Sequence, residues 1–554
     1  MTDVPAGSAW DVELPDERAT LRLARDLAAA LRPGDLVTLA GDLGAGKSTL
    51  ARAVIRTLAG DETLEVPSPT YTLMQIYDHL PVPVVHADLY RVRSADELEE
   101  IGFEEAAEGA AVLVEWPERA ASVLAADRLE IVMALAPSRG PDARHARLVG
   151  HGAFAARLKR MREIRVFLHG AGWGDAVRRP LAGDASSRRY ERLSEPGRHA
   201  VLMDAPARPD GPPVRGGLPY SRVAHLAETV TPFVAMARAL RERGLSAPDI
   251  LAADLTKGLL IVEDLGDGRV VEGAPPQPIV ARYRAAIELL AALHATPLPP
   301  RVPVAVRLDH VLPRYDFDAF LIEVELLIDW YLPFRAVALE PGEREAFTAL
   351  WRDALGAVIG AADDESTNDE AAKSDSAKPD TTKSGMTKPG MTKSEMTWVL
   401  RDFHSPNLIW LEGREGLARV GVIDFQDAVI GPAAYDVASL AQDARVDVAE
   451  DVELALLGHY VALRRRGDSA FDAKRFARDY AVLGAQRATK ILGIFARLAK
   501  RDGKPLYLAH MPRVARYLGR CLAHPDLAPL KAWYAAHVPL DDLPLDGLPG
   551  GAAR

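Results

Sequence analysis

The stretch Gly41-Asp42-Leu43-Gly44-Ala45-Gly46-Lys47-Ser48 constrains this chain more than any other. Its glycines let successive backbone N–H groups turn toward phosphates, Lys47 brings a point charge to the β and γ positions, and the Ser48 hydroxyl can ligate Mg²⁺. Such a loop needs a buried strand before it and a helix after it. Both are present: Leu21, Leu27 and Leu31 recur at helical spacing, Pro33-Gly34 breaks that helix, Leu36 to Ala40 is an apolar run, and Ser48 to Leu58 reads as the helix leaving the loop. Val82 to Ala87 and Ala111 to Val114 read as further buried strands. An α/β P-loop domain is therefore predicted, ending near residue 159, with Gly41, Asp42, Gly44, Ala45, Gly46, Lys47, Ser48 and Thr49 as candidate phosphate contacts.

A second phosphate-handling pattern lies far downstream, in Arg401-Asp402-Phe403-His404-Ser405-Pro406-Asn407 followed by Ile423-Asp424-Phe425. Kinases place a catalytic Asp and, five residues on, a magnesium-binding Asn on one loop, with a second magnesium Asp after the next hairpin. Asp402, Asn407 and Asp424 reproduce that spacing, and Leu408 to Leu411 with Val420 to Ile423 supply the hairpin strands. Asp402 would orient a substrate hydroxyl and accept its proton, while Asn407 and Asp424 would hold Mg²⁺ on the ATP phosphates. These two nucleotide solutions are unrelated, and 554 residues exceed one hydrophobic core, so a fusion is predicted: 1–159 as the P-loop domain and 160–554 as a two-lobed α+β kinase-like domain.

The second half supports that parse. From Glu163 come a short helix, strands around Ala182 to Tyr190, a strand Ala200 to Met203, and helices over Val230 to Arg243 and Pro278 to His294. Gly183 to Tyr190 sits where a phosphate-covering loop belongs, which makes Ser186 and Arg188 candidate contacts. Leu260 to Leu265 reads as the hinge strand beside adenine, with Glu263 as a candidate contact. Strand Ala200 to Asp204 has no lysine where kinases carry one, so Arg188 or Arg189 substitutes, or Mg²⁺ and backbone alone hold the phosphates. His404 either touches substrate or packs its loop, and Asp427 and Asp436 either contact substrate or cap structure. Residues 361–397 collapse to polar composition with a five-residue repeat starting at Thr382, Thr387 and Thr392, and a disordered insertion is expected there.

Bulk composition excludes several classes. A formal net charge of -11 disfavours a broad nucleic-acid-binding face, a single cysteine, Cys521, rules out an intramolecular disulfide, and no run of about 18 apolar residues occurs. A soluble cytoplasmic protein is expected, with no membrane role. At the first site Glu115 closes an apolar strand where a carboxylate can reach Mg²⁺, Asp88 ends another where it can position water, and Thr70 can sense a γ-phosphate. On the residues alone, a capping Asp and a turn Thr are the default readings of Asp88 and Thr70. Trp116 reads equally as core, partner surface or nucleotide contact.

The segments Pro67-Ser68-Pro69-Thr70-Tyr71-Thr72-Leu73, His86-Ala87-Asp88-Leu89-Tyr90-Arg91 and Val114-Glu115-Trp116-Pro117-Glu118-Arg119, together with the P-loop, resemble the TsaE family of small bacterial ATPases over about the first 150 residues. The resemblance shifts Asp88 and Thr70 to functional roles. It implies support of threonylcarbamoyladenosine formation at position 37 of tRNA, with TsaB- and TsaD-type proteins as partners and tRNA engaged only indirectly.

From about Met161 onward, Val201-Leu202-Met203-Asp204-Ala205-Pro206, Leu400 to Leu408 and Gly421 to Pro432 resemble the AmgK group of the aminoglycoside-phosphotransferase-like superfamily. Met203, standing where a lysine is missing, belongs to that group's own motif. The resemblance implies an anomeric kinase of N-acetylmuramate and N-acetylglucosamine that uses ATP and Mg²⁺ in cell-wall recycling. Two other readings stay open for this half: a kinase of another small alcohol or an aminoglycoside, and a non-catalytic module that senses nucleotide or sugar and regulates the ATPase.

Overall fold

Leu36–Ala40, Val84–Asp88 and Ala111–Glu115 lack polar alternation, as strands covered on both faces do, and they form the parallel centre of a seven-stranded sheet. The structure, a computed structural model, describes residues 9–93, 97–98, 102–119, 125–181, 188–207, 211–296, 298–360, 396–538 and 540. Its strands are β1 (Ala9–Leu14), β2 (Leu36–Ala40), β3 (Met74–Tyr77), β4 (Val84–Asp88), β5 (Ala111–Glu115), β6 (Leu129–Leu135) and β7 (Arg144–Gly150). Their order across the sheet is β1-β7-β6-β2-β5-β4-β3. Strand β2 runs parallel to β5 and β6, and β4 runs parallel to β5, so β2, β4 and β5 end at one edge. Helix α1 (Glu17–Ala30) is capped by Asp16, whose Oδ1 accepts the Ala19 N–H at 2.8 Å. Helix α2 (Lys47–Ala59) leaves the P-loop at that same edge.

The chain divides into two compact units, Met1–Pro206 with Leu251–Asp264, and Ala207–Ile250 with Leu265–Arg554. The first therefore holds the P-loop sheet and also a five-stranded antiparallel sheet built from β8 (Val177–Leu181), β9 (Arg189–Glu195), β10 (Arg198–Asp204) and the strands Leu259–Glu263 and Ile250–Asp254. A short helix was expected from Glu163. Instead one helix, Phe154–Gly170, begins nine residues earlier and runs across residues 159 and 160. Its buried positions Phe154, Leu158, Met161, Ile164 and Leu168 keep helical spacing, but the Arg and Lys residues between them dilute the pattern. Leu158 and Met161 belong to the P-loop core, whereas Ile164 and Leu168 pack with Trp173, Leu193, Leu202 and Ile261 under the second sheet.

Ion pairs hold this helix on both sides. Arg157 clamps Asp35 with Nη1 and Nη2 at 2.8 and 2.6 Å, and Arg160 donates twice to Asp204 Oδ1 at 3.0 and 2.6 Å. Asp26 of α1 is buried and accepts from Arg165 Nε at 2.6 Å and from Arg178 Nη1 at 2.7 Å, while Arg178 also forks onto Glu191. Burial pushes the Asp26 carboxyl above its ordinary value, and the two guanidinium groups oppose that shift.

The second unit is mainly helical. Its longest helix, Ala473–Asp502, is capped by Asp472 and packs against Ala434–Ala441, Phe317–Leu326 and Met511–Leu522. Gly493 allows the contact with the Phe317–Leu326 segment, since a Cβ there would lie 2.4 Å from the Leu326 carbonyl carbon. The catalytic-loop hairpin forms as expected, Leu408–Trp410 pairing antiparallel with Val420–Val422. Strand Met396–Val399 starts two residues before the predicted Trp398, inside the end of the expected insertion, and pairs with Val429–Pro432. Residues 361–395 of that insertion lie outside the described residues.

Asp26→Ala leaves two arginines without their buried partner, and the first unit is expected to lose about 3–5 kcal/mol, measured by chemical denaturation. The same change in an Arg178→Met background costs less, because one of the two guanidinium groups that Asp26 neutralises is already gone.

Candidate functional site

The first site is assembled where β2, β4 and β5 end together, the edge at which open α/β sheets bind ligands. In register, Leu39 lies beside Glu115 and Glu115 beside Asp88. Gly41 adopts φ 131, and a Cβ on it would fall 2.1 Å from the Met133 carbonyl oxygen, so only glycine lets the loop turn there. Lys47 is buried and donates Nζ to the carbonyls of Gly41 at 2.7 Å and Asp42 at 3.0 Å. Burial pushes its ammonium below the ordinary lysine value, against the pull of Glu115, Glu118, Asp88 and Asp42.

Ser48 Oγ donates to Glu115 Oε2 at 2.7 Å, and His86 Nε2 lies 2.9 Å from Glu115 Oε1. Both carboxylate oxygens of this buried residue are thus engaged. Thr70 Oγ1 donates to Asp88 Oδ2 at 2.9 Å, and Asp88 Oδ1 accepts the Tyr90 N–H at 3.0 Å. The structure brings Gly41, Asp42, Gly44, Ala45, Gly46, Lys47, Ser48, Thr70, Asp88 and Glu115 to this edge. Thr49 is exposed on α2 and lines a cleft with Arg52 and Arg56. Two neighbours carried no role in the sequence reading or an undecided one. Trp116 lies beneath Lys47, its ring centroid 3.8 Å from Nζ, and His86 braces Glu115. The period of two along β4 puts His86 on the same face as Asp88, a signal that a strand reading contains.

In the first unit's antiparallel sheet, Glu263 ends its strand opposite Ala200, and Arg188 is half-buried just before β9. Ser186 lies outside the described residues.

The second unit holds the acidic loop. Asp402 keeps its side chain 41% exposed, while Phe403, His404 and Ser405 beside it are buried. Asn407 Nδ2 donates to the Asp402 carbonyl at 2.9 Å and lies 3.4 Å from Asp424 Oδ2, and Gln426 Nε2 donates to Asp424 Oδ1 at 2.7 Å. Asp402, Asn407 and Asp424 are therefore brought together. Arg401 and Asp424 sit at φ 66 and 60, conformations that cost non-glycine residues energy and that the packing imposes.

Two buried carboxylates carry the loop. Asp436 accepts the N–H groups of Leu400 at 2.6 Å and Arg401 at 2.9 Å, and Asp443 accepts the Ser405 N–H and hydroxyl at 2.8 and 2.6 Å. Asp436 is thereby a structural brace with no free face for a sugar hydroxyl, and Asp427 likewise accepts the Ala227 N–H at 2.6 Å. Burial pushes Asp436 up to about 7 against the pull of its two N–H donors. Burial also acts to raise Asp402, but His404, Lys490, Arg487 and Arg401 hold it below the ordinary carboxylate value and so favour its ionised form. His404 is pushed down to about 4 by burial, although Asp443 and Asp402 favour its protonation.

Among the described residues no group of three or more His, Cys, Asp or Glu side chains gathers around one point. Ser48 with Glu115, and Asn407 with Asp424, offer hard oxygen donors in pairs, which suits a small divalent cation completed by phosphate oxygens and water.

The family described as threonylcarbamoyl adenosine biosynthesis protein TsaE matches residues 14–141, and the phosphotransferase enzyme family, APH, matches residues 177–471. The chain is 38% identical over 391 residues to an N-acetylmuramate/N-acetylglucosamine kinase of Caulobacter vibrioides, covering 68% of this chain and 96% of that one. It is 32% identical to the enzyme of the same name from Pseudomonas aeruginosa, covering 65% and 89%. Its first part is 42% identical over 118 residues to a tRNA threonylcarbamoyladenosine biosynthesis protein TsaE of Rickettsia felis, covering 21% of this chain and 68% of that one.

The unfolded chain protonates His404 near its ordinary 6.5, whereas the folded site does so only near 4. The neutral ring thus contributes stability above pH 6.5 that is lost as pH falls toward 4. The unfolding free energy of His404→Gln is expected to decline less steeply than that of the native chain over that window, read by denaturant titration at a series of pH values.

Proposed function

From a chain that belongs both to the TsaE family and to the phosphotransferase enzyme family, we infer an ATPase supporting tRNA modification joined to an anomeric sugar kinase, with residues 1–159 assigned to the first activity and 160–554 to the second. Both halves belong to ATP-using families, and the molecule is an enzyme twice over. The observation that carries the kinase half is the Asn407 amide, which spans the Asp402 carbonyl and the Asp424 carboxylate.

In the kinase, the half-exposed Asp402 carboxylate orients the anomeric hydroxyl of N-acetylmuramate or N-acetylglucosamine and accepts its proton as the oxygen attacks the γ-phosphorus of ATP and the β–γ bridging P–O bond breaks, releasing ADP. Asn407 and Asp424 would hold Mg²⁺, which when bound neutralises charge on the phosphates. Glu263 is assigned to the adenine contact, and Ser186 and Arg188 to the phosphates. The product is the sugar 1-phosphate, an intermediate class suited to cell-wall recycling.

In the ATPase, the N–H groups of residues 41–46 and Lys47 hold the β and γ phosphates, with Thr49 adjacent to the loop on α2. Ser48 and Glu115 would hold the second Mg²⁺. Asp88 positions the attacking water, and Thr70, hydrogen-bonded to it, senses the γ-phosphate. We assign TsaB- and TsaD-type proteins as partners and an indirect relation to tRNA, in keeping with the net charge of -11. Among the described residues no helix is long and apolar enough to cross a membrane, and we assign the protein to the cytoplasm.

The test is ATP-dependent phosphorylation of both sugars by the full chain. Asp402→Asn is expected to lower kcat by about 10²- to 10⁴-fold. Lys47→Ala is expected to abolish complementation of the tRNA modification and to leave sugar phosphorylation within about twofold, and loss of both activities in a folded Lys47→Ala protein contradicts independent sites.

A further inference from the structure

Arg487 is 6% exposed and makes no hydrogen bond, ion pair or ring contact with any described residue. Most of the side chain is stripped of water, yet its nitrogens are not among the fully buried atoms that lack a partner, so the guanidinium keeps an open face on which an anion from outside can settle. Its neighbours on the long helix Ala473–Asp502 show where it points. Gln486 donates to Glu323 Oε2 at 2.9 Å and Lys490 to Glu323 Oε1 at 2.7 Å. On the adjoining flank, Gly484 lies so close to Gln442 and Cys521 that a Cβ would come within 2.7 Å of each. Arg487 follows Gly484 by three positions and Gln486 by one, so helical geometry aims it into the sector between Gln442 and Glu323.

That sector contains the catalytic loop. Arg401 is bonded to Glu323 on one side and, through its N–H, to Asp436 on the other, and Asp402 follows directly. Arg487 is accordingly among the cations that hold Asp402 below its ordinary value and is also felt by His404 and Asp436. Arg401 is already committed to Glu323 and to the Ala224 carbonyl, and Lys490 to Glu323. Arg487 is the cation beside Asp402 left for a ligand.

We propose that Arg487 binds the lactyl carboxylate of N-acetylmuramate, the anionic group by which that sugar differs from N-acetylglucosamine; this rests on the kinase reading above. With the anomeric hydroxyl on Asp402, the 3-O-lactyl arm extends across the sugar ring, and a guanidinium can fork onto its carboxylate with two parallel N–H donors. Arg487 is then a specificity-determining residue, and N-acetylglucosamine is a substrate that leaves this cation unused.

The test compares kcat/KM for the two sugars, and for the lactyl amide of N-acetylmuramate, in the native full chain and in Arg487→Gln and Arg487→Lys. Arg487→Gln is expected to lower kcat/KM for N-acetylmuramate by about 10- to 100-fold and for N-acetylglucosamine by less than about threefold. Arg487→Lys should recover part of the loss, and the native enzyme should disfavour the neutral lactyl amide by a similar factor. Equal losses on both sugars, or a rise in KM for ATP alone, would overturn the proposal in favour of a phosphate contact or a purely structural charge. Should Arg487→Gln fail to fold, the native enzyme decides: equal use of the acid and its amide sinks the idea. A native chain that phosphorylates neither sugar removes the kinase reading itself, a different result from loss of selectivity.

Discussion

Glu323 is wholly buried, and the second unit is arranged around the need to neutralise it. Tyr315, Gln486, Lys490 and Arg401 all converge on its two oxygens. Burial alone would drive the carboxyl upward, yet Lys490 and Arg401 keep it below the ordinary value, so it remains an anion at the centre of the fold. Its tie to Arg401 fixes the residue that precedes Asp402, and Asp436 fixes the backbone of the same residue from the opposite side. The positive φ of Arg401 follows from being held at both ends, and it turns Asp402 outward while its neighbours stay buried.

A buried carboxylate plays a comparable part in the first unit. Asp26 lies on a helix of the P-loop domain, while Arg178 lies on the first strand of the antiparallel sheet and Arg165 on the helix leading into it. The same helix contributes side chains to both hydrophobic cores. The ATPase and the kinase's first sheet are therefore joined by a continuous helix and a shared charge network, not by a polar linker. Disturbance at that joint is felt by both sheets, even though the two nucleotide sites use separate residues.

Much of the fold was legible because it is locally encoded. The P-loop, strands β2, β4 and β5, and the catalytic-loop hairpin are short apolar runs bounded by glycine or charge, and each formed within two residues of its expected limits. The helix Phe154–Gly170 was obscured, since its apolar stripe is narrow and divided between two cores. Asp436 was ambiguous in the sequence because a carboxylate that braces two backbone N–H groups looks the same as one that binds a sugar. His86, Trp116 and Arg487 gain meaning from residues far away in the chain, namely Glu115, Lys47 and the loop at Asp402.

The amino-acid sequence by itself determined that two phosphate-binding chemistries coexist here, since each depends on residue types at fixed short spacings on one loop and its flanking elements. Tertiary structure decided which carboxylates are braces and which are open, that one helix serves two cores, and that a guanidinium near Asp402 stands without a partner among the described residues. The physical reason is desolvation: the charge state and availability of a side chain depend on what is packed around it, and no local pattern in the sequence records that.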